Sequence, residues 1–185
     1  MTTPSHLRPL ALMAILASVG GMATGQPARA QGEATPAVIC KQKALPANAI
    51  EANKRLMNRF VDFINTADEK MAEELVSKQA IFYVPGRPDP VKGPEGYMAI
   101  IQMMRSGFPD IHWKLEEAVV EPNKVAARFM MYGTHKGTFF GVPATGKQIA
   151  VQALNIYHLC DGQIVQEYGQ PDLLGLMQQI GALPH

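Results

Sequence analysis

The sequence predicts an α+β domain in which N-terminal helices pack on a strongly curved antiparallel sheet and enclose a cone-like cavity. Two periodicities support this class. Apolar residues recur mainly at helical spacing up to residue 107, and they alternate with polar residues beyond residue 110. Asp161-Gly162 lies between two alternating segments and is a strong signal for a two-residue hairpin turn. Helices followed by a meander of strands are typical of α+β folds.

The first thirty residues have the pattern of a secretory signal peptide. Arg8 precedes an apolar run at residues 10–19, and Ala28-Arg29-Ala30 supplies small residues for cleavage. The run is shorter than the roughly 20 residues that span a bilayer, so an uncleaved anchor is the weaker alternative. We therefore expect an exported protein, periplasmic or secreted, with no stable membrane insertion after cleavage.

The chain beyond residue 30 is long enough for one domain with a proper core. Cleavage removes Arg8 and Arg29 and no acidic residue, so the formal net charge changes from +1 to 15 − 16 = −1. A nearly neutral chain without a basic stripe gives no reason to expect a nucleic-acid partner. We expect residues 31–46 to be a mobile lead-in and residues 47–185 to form a single domain.

Three helices are predicted before the long strands. The first begins near Asn48, and the second follows Thr66-Ala67-Asp68-Glu69, which has the form of a capping box. The third begins at Pro94, a favoured first helical residue, and ends near Gly107. Residues 79–84, which are β-branched and aromatic, predict a short strand between the second and third helices. The apolar side of the first helix is expected to carry Ile50, Met57, Phe60, Val61 and Ile64.

Long strands and a closing helix are predicted after residue 110. The strands cover residues 111–116, 125–134, 148–160 and 164–168, and the helix covers residues 173–180. The segment 133–146, between the second and third of these strands, holds four glycines, Pro143 and the pair Phe139-Phe140, which we expect to be buried. Glycine and proline together indicate a loop of defined shape, which we expect to set the curvature of the sheet and the rim of the cavity.

The hairpin turn assigns the polar side chains of the last two strands to faces. A strict two-residue turn places Tyr157 opposite Gln166 and Asn155 opposite Tyr168, and alternation puts all four on one face. Asp172 joins them if the phase of the strand continues past residue 171. This polar and aromatic set suits an oxygenated ring compound.

The opposite face of the same hairpin is expected to carry His158 and Glu167. His112, His135 and His158 are evenly spaced, but no pair has short ligand spacing, so we expect no metal site. His135 is interpreted as a loop residue that bonds to the backbone or, alternatively, as a pocket donor. Trp113 is expected in the core, in the cavity wall or at a dimer seam.

The two cysteines of the chain are Cys40 and Cys160. An even count in an exported protein permits a disulfide that would tie the N-terminal arm to the sheet. Sequence does not report the distance between them, so the pairing stays open at this point.

Four motifs in order resemble one family. They are FPD at residues 108–110, GTHKGTFFGVPATGK at 133–147, DGQIVQEY at 161–168, and Asp172 followed by LLGLMQQIG. Together they resemble the SnoaL-like polyketide cyclase or ester cyclase family of the nuclear transport factor 2-like superfamily, over roughly residues 47–183. The resemblance implies a cofactor-free, intramolecular aldol-type ring closure of a small hydrophobic carbonyl-bearing molecule, and a homodimer.

The resemblance also implies roles for single residues. Asp172 corresponds to an acid/base carboxylate in an apolar cavity, where it would remove a proton from an activated carbon. It also suits the N-cap of the closing helix, and both roles stay open. His158 is the candidate catalytic histidine, with a structural, hydrogen-bonded histidine as the alternative. Tyr168 and Gly169 depart from the family pattern, which often has tryptophan and an acidic residue there.

The leading hypothesis is therefore an exported ester cyclase-type enzyme that performs acid/base chemistry such as aldol-type cyclisation or isomerisation. The catalytic candidates are Asp172 and His158. A non-catalytic exported binding module of the same fold is the alternative, and a structural domain would instead fill the cavity with side chains. The candidate substrate-binding residues are Asn155, Tyr157, Tyr168, Trp113 and His135.

Overall fold

The computed structural model of the chain describes Cys40 and residues 46–184. The predicted signal peptide, residues 1–30, lies outside the described residues. So does the predicted lead-in, residues 31–46, apart from Cys40 and Pro46. None of the described helices is long and apolar enough to span a bilayer.

The described residues form four helices and six strands. In chain order these are α1 (Ala49–Thr66), α2 (Glu69–Leu75), β1 (Val76–Tyr83), β2 (Val91–Lys92), α3 (Gly93–Gly107), β3 (His112–Val120), β4 (Lys124–Thr134), β5 (Gln148–Cys160), β6 (Gln163–Pro171) and α4 (Leu173–Ile180). The predicted bounds of β5 and α4 are confirmed. β2 was not predicted, because its two residues lie in a proline-rich segment that reads as a loop.

The six strands form one sheet in the order β2-β1-β6-β5-β4-β3. β3 to β6 make the predicted antiparallel meander. β1, by contrast, runs parallel to β6, because the chain passes through α3 and the rest of the meander before it returns beside β1. α1 packs on β3, α3 on β1 and α4 on β5. The predicted α+β class, with helices against a sheet, is confirmed.

α1 buries the side that its periodicity predicts, with one exception. Ile50 was expected on the apolar side, and 41% of its surface is exposed. Near the start of α1 the buried positions are instead Ala49 and Asn53. The side-chain amide of Asn53 donates to the carbonyl oxygen of Glu121 at 2.8 Å, so α1 is also tied to the turn between β3 and β4.

α2 begins at a different cap from the predicted one. The carboxylate of Asp68 accepts two backbone N–H groups of the first turn, at 2.8 and 3.1 Å. The hydroxyl of Thr66 instead donates to the carbonyl oxygen of Asp62 within the last turn of α1, at 2.8 Å. The predicted capping box of Thr66 and Glu69 is therefore wrong, because α1 continues through Thr66 and leaves Asp68 as the capping residue.

Residues 135–147 form the glycine-rich loop between β4 and β5. Backbone hydrogen bonds between the two ends of the loop give it a defined shape, as predicted. The loop also lies against the end of α3, where a side chain at Gly137 would collide with the carbonyl oxygen of Ser106. Phe139 is buried, whereas Phe140 is 59% exposed, so the expectation that both rings are buried is wrong for Phe140.

Cys40 and Cys160 form a disulfide across a Cα–Cα distance of 5.6 Å. The bond joins positions 120 residues apart in the sequence and attaches the segment before α1 to the end of β5. The pairing that the sequence left open is therefore present in the structure.

Candidate active site

A β-bulge on β6 lies close to the hairpin turn and determines which side chains reach the inner face of the sheet. The turn itself is as predicted, since Asp161 and Gly162 both have positive φ, 50° and 75°. Leu159 pairs with Ile164, but His158 pairs with Gln166, so Val165 is an extra residue on β6.

The bulge moves the following side chains of β6 to the other face, as a one-residue shift of register does. Tyr157 pairs with Glu167 as a result. The predicted pairs, Tyr157 with Gln166 and Asn155 with Tyr168, are therefore wrong. Glu167 was expected on the opposite face, and it lies on the same face as Asn155 and Tyr157.

A cavity of about 110 Å³ lies between this face and the helices. Its wall is mostly aromatic and aliphatic, and Trp113 is part of it, which confirms one of the three positions expected for that residue. The polar side chains of the wall come from α3, β5 and β6. They are Tyr97, Asn155, Tyr157 and Glu167.

Glu167 is the only carboxylic acid among the described residues that line this cavity. Its side chain is 6% exposed. The amide of Asn155 donates to Oε1 of Glu167 at 2.8 Å, whereas Oε2 is buried and has no hydrogen-bond partner among the described residues. One oxygen of the carboxyl is thus held by Asn155, and the other is not held by a hydrogen bond among the described residues.

Burial raises the pKa of Glu167 from its ordinary value of 4.5 to about 7. The hydroxyls of Tyr97 and Tyr157 interact with the carboxyl and oppose this rise in its pKa. Burial, and then the charge of Glu167, raise the pKa of both tyrosines well above the ordinary value. The site therefore combines a carboxyl that can take or give a proton near neutral pH with two phenols that stay protonated.

Asp172 does not reach this site. Its carboxylate accepts the backbone N–H of Gly175 at 2.8 Å and caps α4, so the capping role that the sequence left open is confirmed. Asp172 is exposed, and only its neighbours Pro171 and Leu173 line the cavity. The expectation that Asp172 joins Asn155 and Tyr157 on the inner face is wrong, because the bulge changes the phase of β6.

His158 and Tyr168 lie on the outer face of the sheet. Their rings are 6.0 Å apart, and Tyr168 also stacks on Tyr83 with a centroid distance of 5.0 Å. Burial, with a contribution from the charge of Lys124, lowers the pKa of His158. Neither side chain lines the cavity. The predicted catalytic pair, Asp172 and His158, is therefore not brought together there.

His135 is fully buried in the glycine-rich loop. Its Nδ1 lies 3.0 Å from the hydroxyl oxygen of Thr145, and its ring packs against Phe108 at 5.2 Å. His135 does not line the cavity. Of the predicted substrate-binding residues, the structure places Asn155, Tyr157 and Trp113 in the cavity wall and leaves Tyr168 and His135 outside it.

Comparison with known proteins identifies the family. The family model of the SnoaL-like polyketide cyclases matches residues 54–180. The chain belongs to this family. The SnoaL-like resemblance of the sequence motifs is thereby confirmed, and the homologues support a polyketide or ester cyclase-type function.

The chain is similar to a named ester cyclase and to proteins with solved structures. The chain is 30% identical over 132 residues to the aklanonic acid methyl ester cyclase DnrD of Streptomyces peucetius, covering 68% of this chain and 88% of that protein. It is similar to TsrD of Streptomyces laurentii, with 30% identity, a TM-score of 0.64 and coverage of 72% of this chain and 97% of the other. A SnoaL-like protein of Jannaschia sp. CCS1 has 25% identity and a TM-score of 0.67, with coverage of 77% and 99%.

Sequence reasoning missed Glu167, although one signal pointed to it. SnoaL-like proteins often have an acidic residue where this chain has Gly169, and residues two apart on a strand share a face. A Cβ at Gly169 would lie 3.4 Å from Oε1 of Glu167 and 3.8 Å from Oδ1 of Asn155. The carboxyl of Glu167 thus lies next to the place that an acidic side chain at position 169 would occupy.

Proposed function

We propose that this chain is an exported cyclase-type enzyme that performs cofactor-free acid/base chemistry in the cavity. The substrate is a small hydrophobic carbonyl compound, and the reaction is an aldol-type cyclisation, an isomerisation or a related step. Glu167 is the acid/base group. The observation that carries the proposal is the buried carboxyl with a pKa of about 7 in a mostly apolar cavity.

A carboxyl of this kind suits both halves of an aldol step. A catalytic acid or base works best when its pKa is near the working pH, because both protonation states are then available. Ionised Glu167 takes the proton from the carbon beside a carbonyl, and the resulting enolate forms a carbon–carbon bond with a second carbonyl of the same molecule. Protonated Glu167 then returns the proton to the alkoxide, so the carboxylate is restored.

The two phenols supply the donors that such a step needs. Negative charge develops on the carbonyl oxygen when the enolate forms, and pre-positioned donors in a dry site stabilise it. Tyr97 and Tyr157 are fully protonated near neutral pH and lie beside Glu167. Apolar walls exclude water, and Phe82 and Trp113 belong to them.

Export is supported by two independent features. The first thirty residues have the pattern of a signal peptide. The Cys40–Cys160 disulfide is of a kind that persists mainly in oxidising compartments. Edman sequencing or intact-mass measurement of the exported protein tests this part, and a chain that retains Met1 would contradict it.

Proton abstraction can be tested without knowledge of the natural substrate. Small 1,3-dicarbonyl and aromatic ketone compounds are incubated with the protein in D₂O, and deuterium incorporation beside the carbonyl is followed by NMR. The protein should accelerate exchange, and Glu167→Gln should lower that rate by roughly 10²–10⁴-fold while ligand binding persists. Glu73→Gln, at an exposed glutamate of α2, is the matched control and should exchange at the parent rate.

The result also separates an enzyme from a binding module. A parent protein that binds these compounds without accelerating exchange would support the non-catalytic alternative and refute the proposal. A second variant checks the geometry, because Gly169 has room for a Cβ. Glu167→Gln/Gly169→Asp should regain part of the exchange rate, since it returns a carboxyl to the same face.

A further inference from the structure

We infer that Asn155 is a positioning residue that keeps the acid proton of Glu167 on Oε2 and off Oε1. The role of the proton in catalysis rests on the proposed function. The position of the proton rests only on hydrogen-bond geometry. Three hydrogen bonds of the Asn155 side-chain amide support this inference.

The orientation of the Asn155 amide is set by the backbone of β6. Its Oδ1 lies 3.1 Å from the backbone nitrogen of Gln170. A backbone N–H can only donate, so the atom that faces it must be the oxygen of the amide and not the nitrogen. The NH₂ group of Asn155 is therefore directed toward Glu167 and Tyr157.

Both hydrogens of that NH₂ group are used inside the cavity wall. Nδ2 donates to Oε1 of Glu167 at 2.8 Å and to the hydroxyl oxygen of Tyr157 at 3.0 Å. The carbonyl oxygen of a protonated carboxyl accepts an N–H more strongly than its hydroxyl oxygen does, so the bond from Nδ2 favours the form in which Oε1 is the carbonyl. When Glu167 is protonated, its hydrogen is thus favoured on Oε2, the oxygen without a hydrogen bond among the described residues.

The same contact leaves the hydroxyl hydrogen of Tyr157 uncommitted to Asn155. The phenol oxygen accepts from the amide, so its own hydrogen is free to donate to a ligand oxygen or to the carboxylate. The Asn155 amide therefore leaves Oε2 as the reactive oxygen of Glu167. The same amide orients the hydroxyl of Tyr157 so that it can donate a hydrogen bond. In the proposed reaction, Oε2 is the atom that both removes and returns the proton.

Infrared difference spectroscopy of the purified protein tests the position of the proton directly. Spectra are compared between about pH 5 and about pH 9, and the carbonyl band of protonated Glu167 is identified by its absence in Glu167→Gln. In the parent protein that carbonyl is Oε1, lowered in frequency by the bond from Asn155. Asn155→Leu, of similar size, should move the band to higher wavenumber and let it persist to a pH about 1–2 units higher, because a hydrogen bond to the charged form is lost.

Asn155→Asp keeps an acceptor for the Gln170 N–H and replaces the donor with a second carboxyl. The two carboxyls should then share a proton, and the last proton should leave at a higher pH than in the parent. Gln152→Leu, at an exposed amide on the same strand, is the control and should leave the band unchanged. An unchanged band and titration in both Asn155 variants would overturn the inference.

The spectra separate this inference from the proposed function. A parent protein without exchange activity refutes the proposed reaction, yet the shift of the carbonyl band in Asn155→Leu would still establish the position of the proton. Conversely, activity lost in Glu167→Gln together with an unmoved band in the Asn155 variants would leave the reaction standing and remove the role of Asn155.

Discussion

The carboxyl of Glu167 is buried without an ion-pair partner among the described residues, so its ionisation costs folding free energy. Its pKa is about 7 in the folded protein and near its ordinary value of 4.5 in the unfolded chain. Below pH 4.5 the carboxyl is neutral in both states and costs nothing. As the pH rises from 4.5 through 7, the unfolded chain ionises first, and the folded state loses stability.

The raised pKa of Glu167 predicts that the free energy of unfolding depends on pH, and Glu167→Gln should remove this dependence. Between about pH 5 and about pH 8 the parent protein should lose roughly 2.5 kcal/mol relative to Glu167→Gln, since each pH unit of pKa difference corresponds to about 1.4 kcal/mol. Urea unfolding of both proteins at each pH measures the difference. Glu73→Gln should follow the parent curve. A parent curve parallel to that of Glu167→Gln would contradict the raised pKa of the buried Glu167 carboxyl.

At the scale of elements, the sequence predicted what is local and missed what depends on neighbours. The bounds of β5 and α4 follow from alternation, from the Asp161-Gly162 turn and from the Asp172 cap, which are all properties of a short segment. The bulge at Val165 depends on how β6 fits both β5 and β1, and no residue there marks it. For that reason the right hairpin was predicted with the wrong residues facing the cavity.

The glycine-rich loop supplies one wall residue that carries backbone strain. Phe140 lines the cavity although it is 59% exposed, and its φ is 45°, a region that bulky residues rarely occupy. Such an aromatic ring at the cavity rim is positioned to cover a bound molecule. We propose from the strain and the exposure that the ring contacts a bound ligand.

Phe140→Gly should therefore separate binding from stability. Glycine accepts positive φ, so the melting temperature should stay the same or rise slightly, while ligand affinity should fall about 5-fold, or about 1 kcal/mol. Calorimetric titration and thermal unfolding of the same samples measure both. Phe139→Ala, at the buried neighbour, should instead lower stability, and an unchanged affinity in Phe140→Gly would remove Phe140 from the binding surface.

At the scale of the whole molecule, the Cys40–Cys160 disulfide connects the segment before α1 to the end of β5. A cross-link between positions 120 residues apart restricts the unfolded chain strongly. Cys40→Ser/Cys160→Ser should lower the free energy of unfolding by about 2–4 kcal/mol. A reductant should destabilise the parent protein by the same amount and leave the double variant unchanged. Equal stability of the two proteins without reductant would contradict this role.

The outer face of the sheet carries a strip of exposed apolar residues that fits self-association. Val119 pairs with Ala126, which pairs with Ile156, so the strip crosses β3, β4 and β5. We propose that a second copy of the chain covers this face, as the family resemblance implies for the sheet. The exposed fractions are 60% for Val119, 41% for Tyr132, 52% for Leu154 and 44% for Ile156.

A charge within that strip should prevent the homodimer. A buried, unpaired carboxylate is costly at an interface, so Ile156→Glu should sediment with the mass of one chain while the parent protein has twice that mass. Leu174→Glu is the matched control, because Leu174 is 61% exposed on α4, away from the strip, and this variant should remain dimeric. A parent protein that is monomeric at all concentrations would refute the dimer, and a dimeric Ile156→Glu would place the interface on another surface.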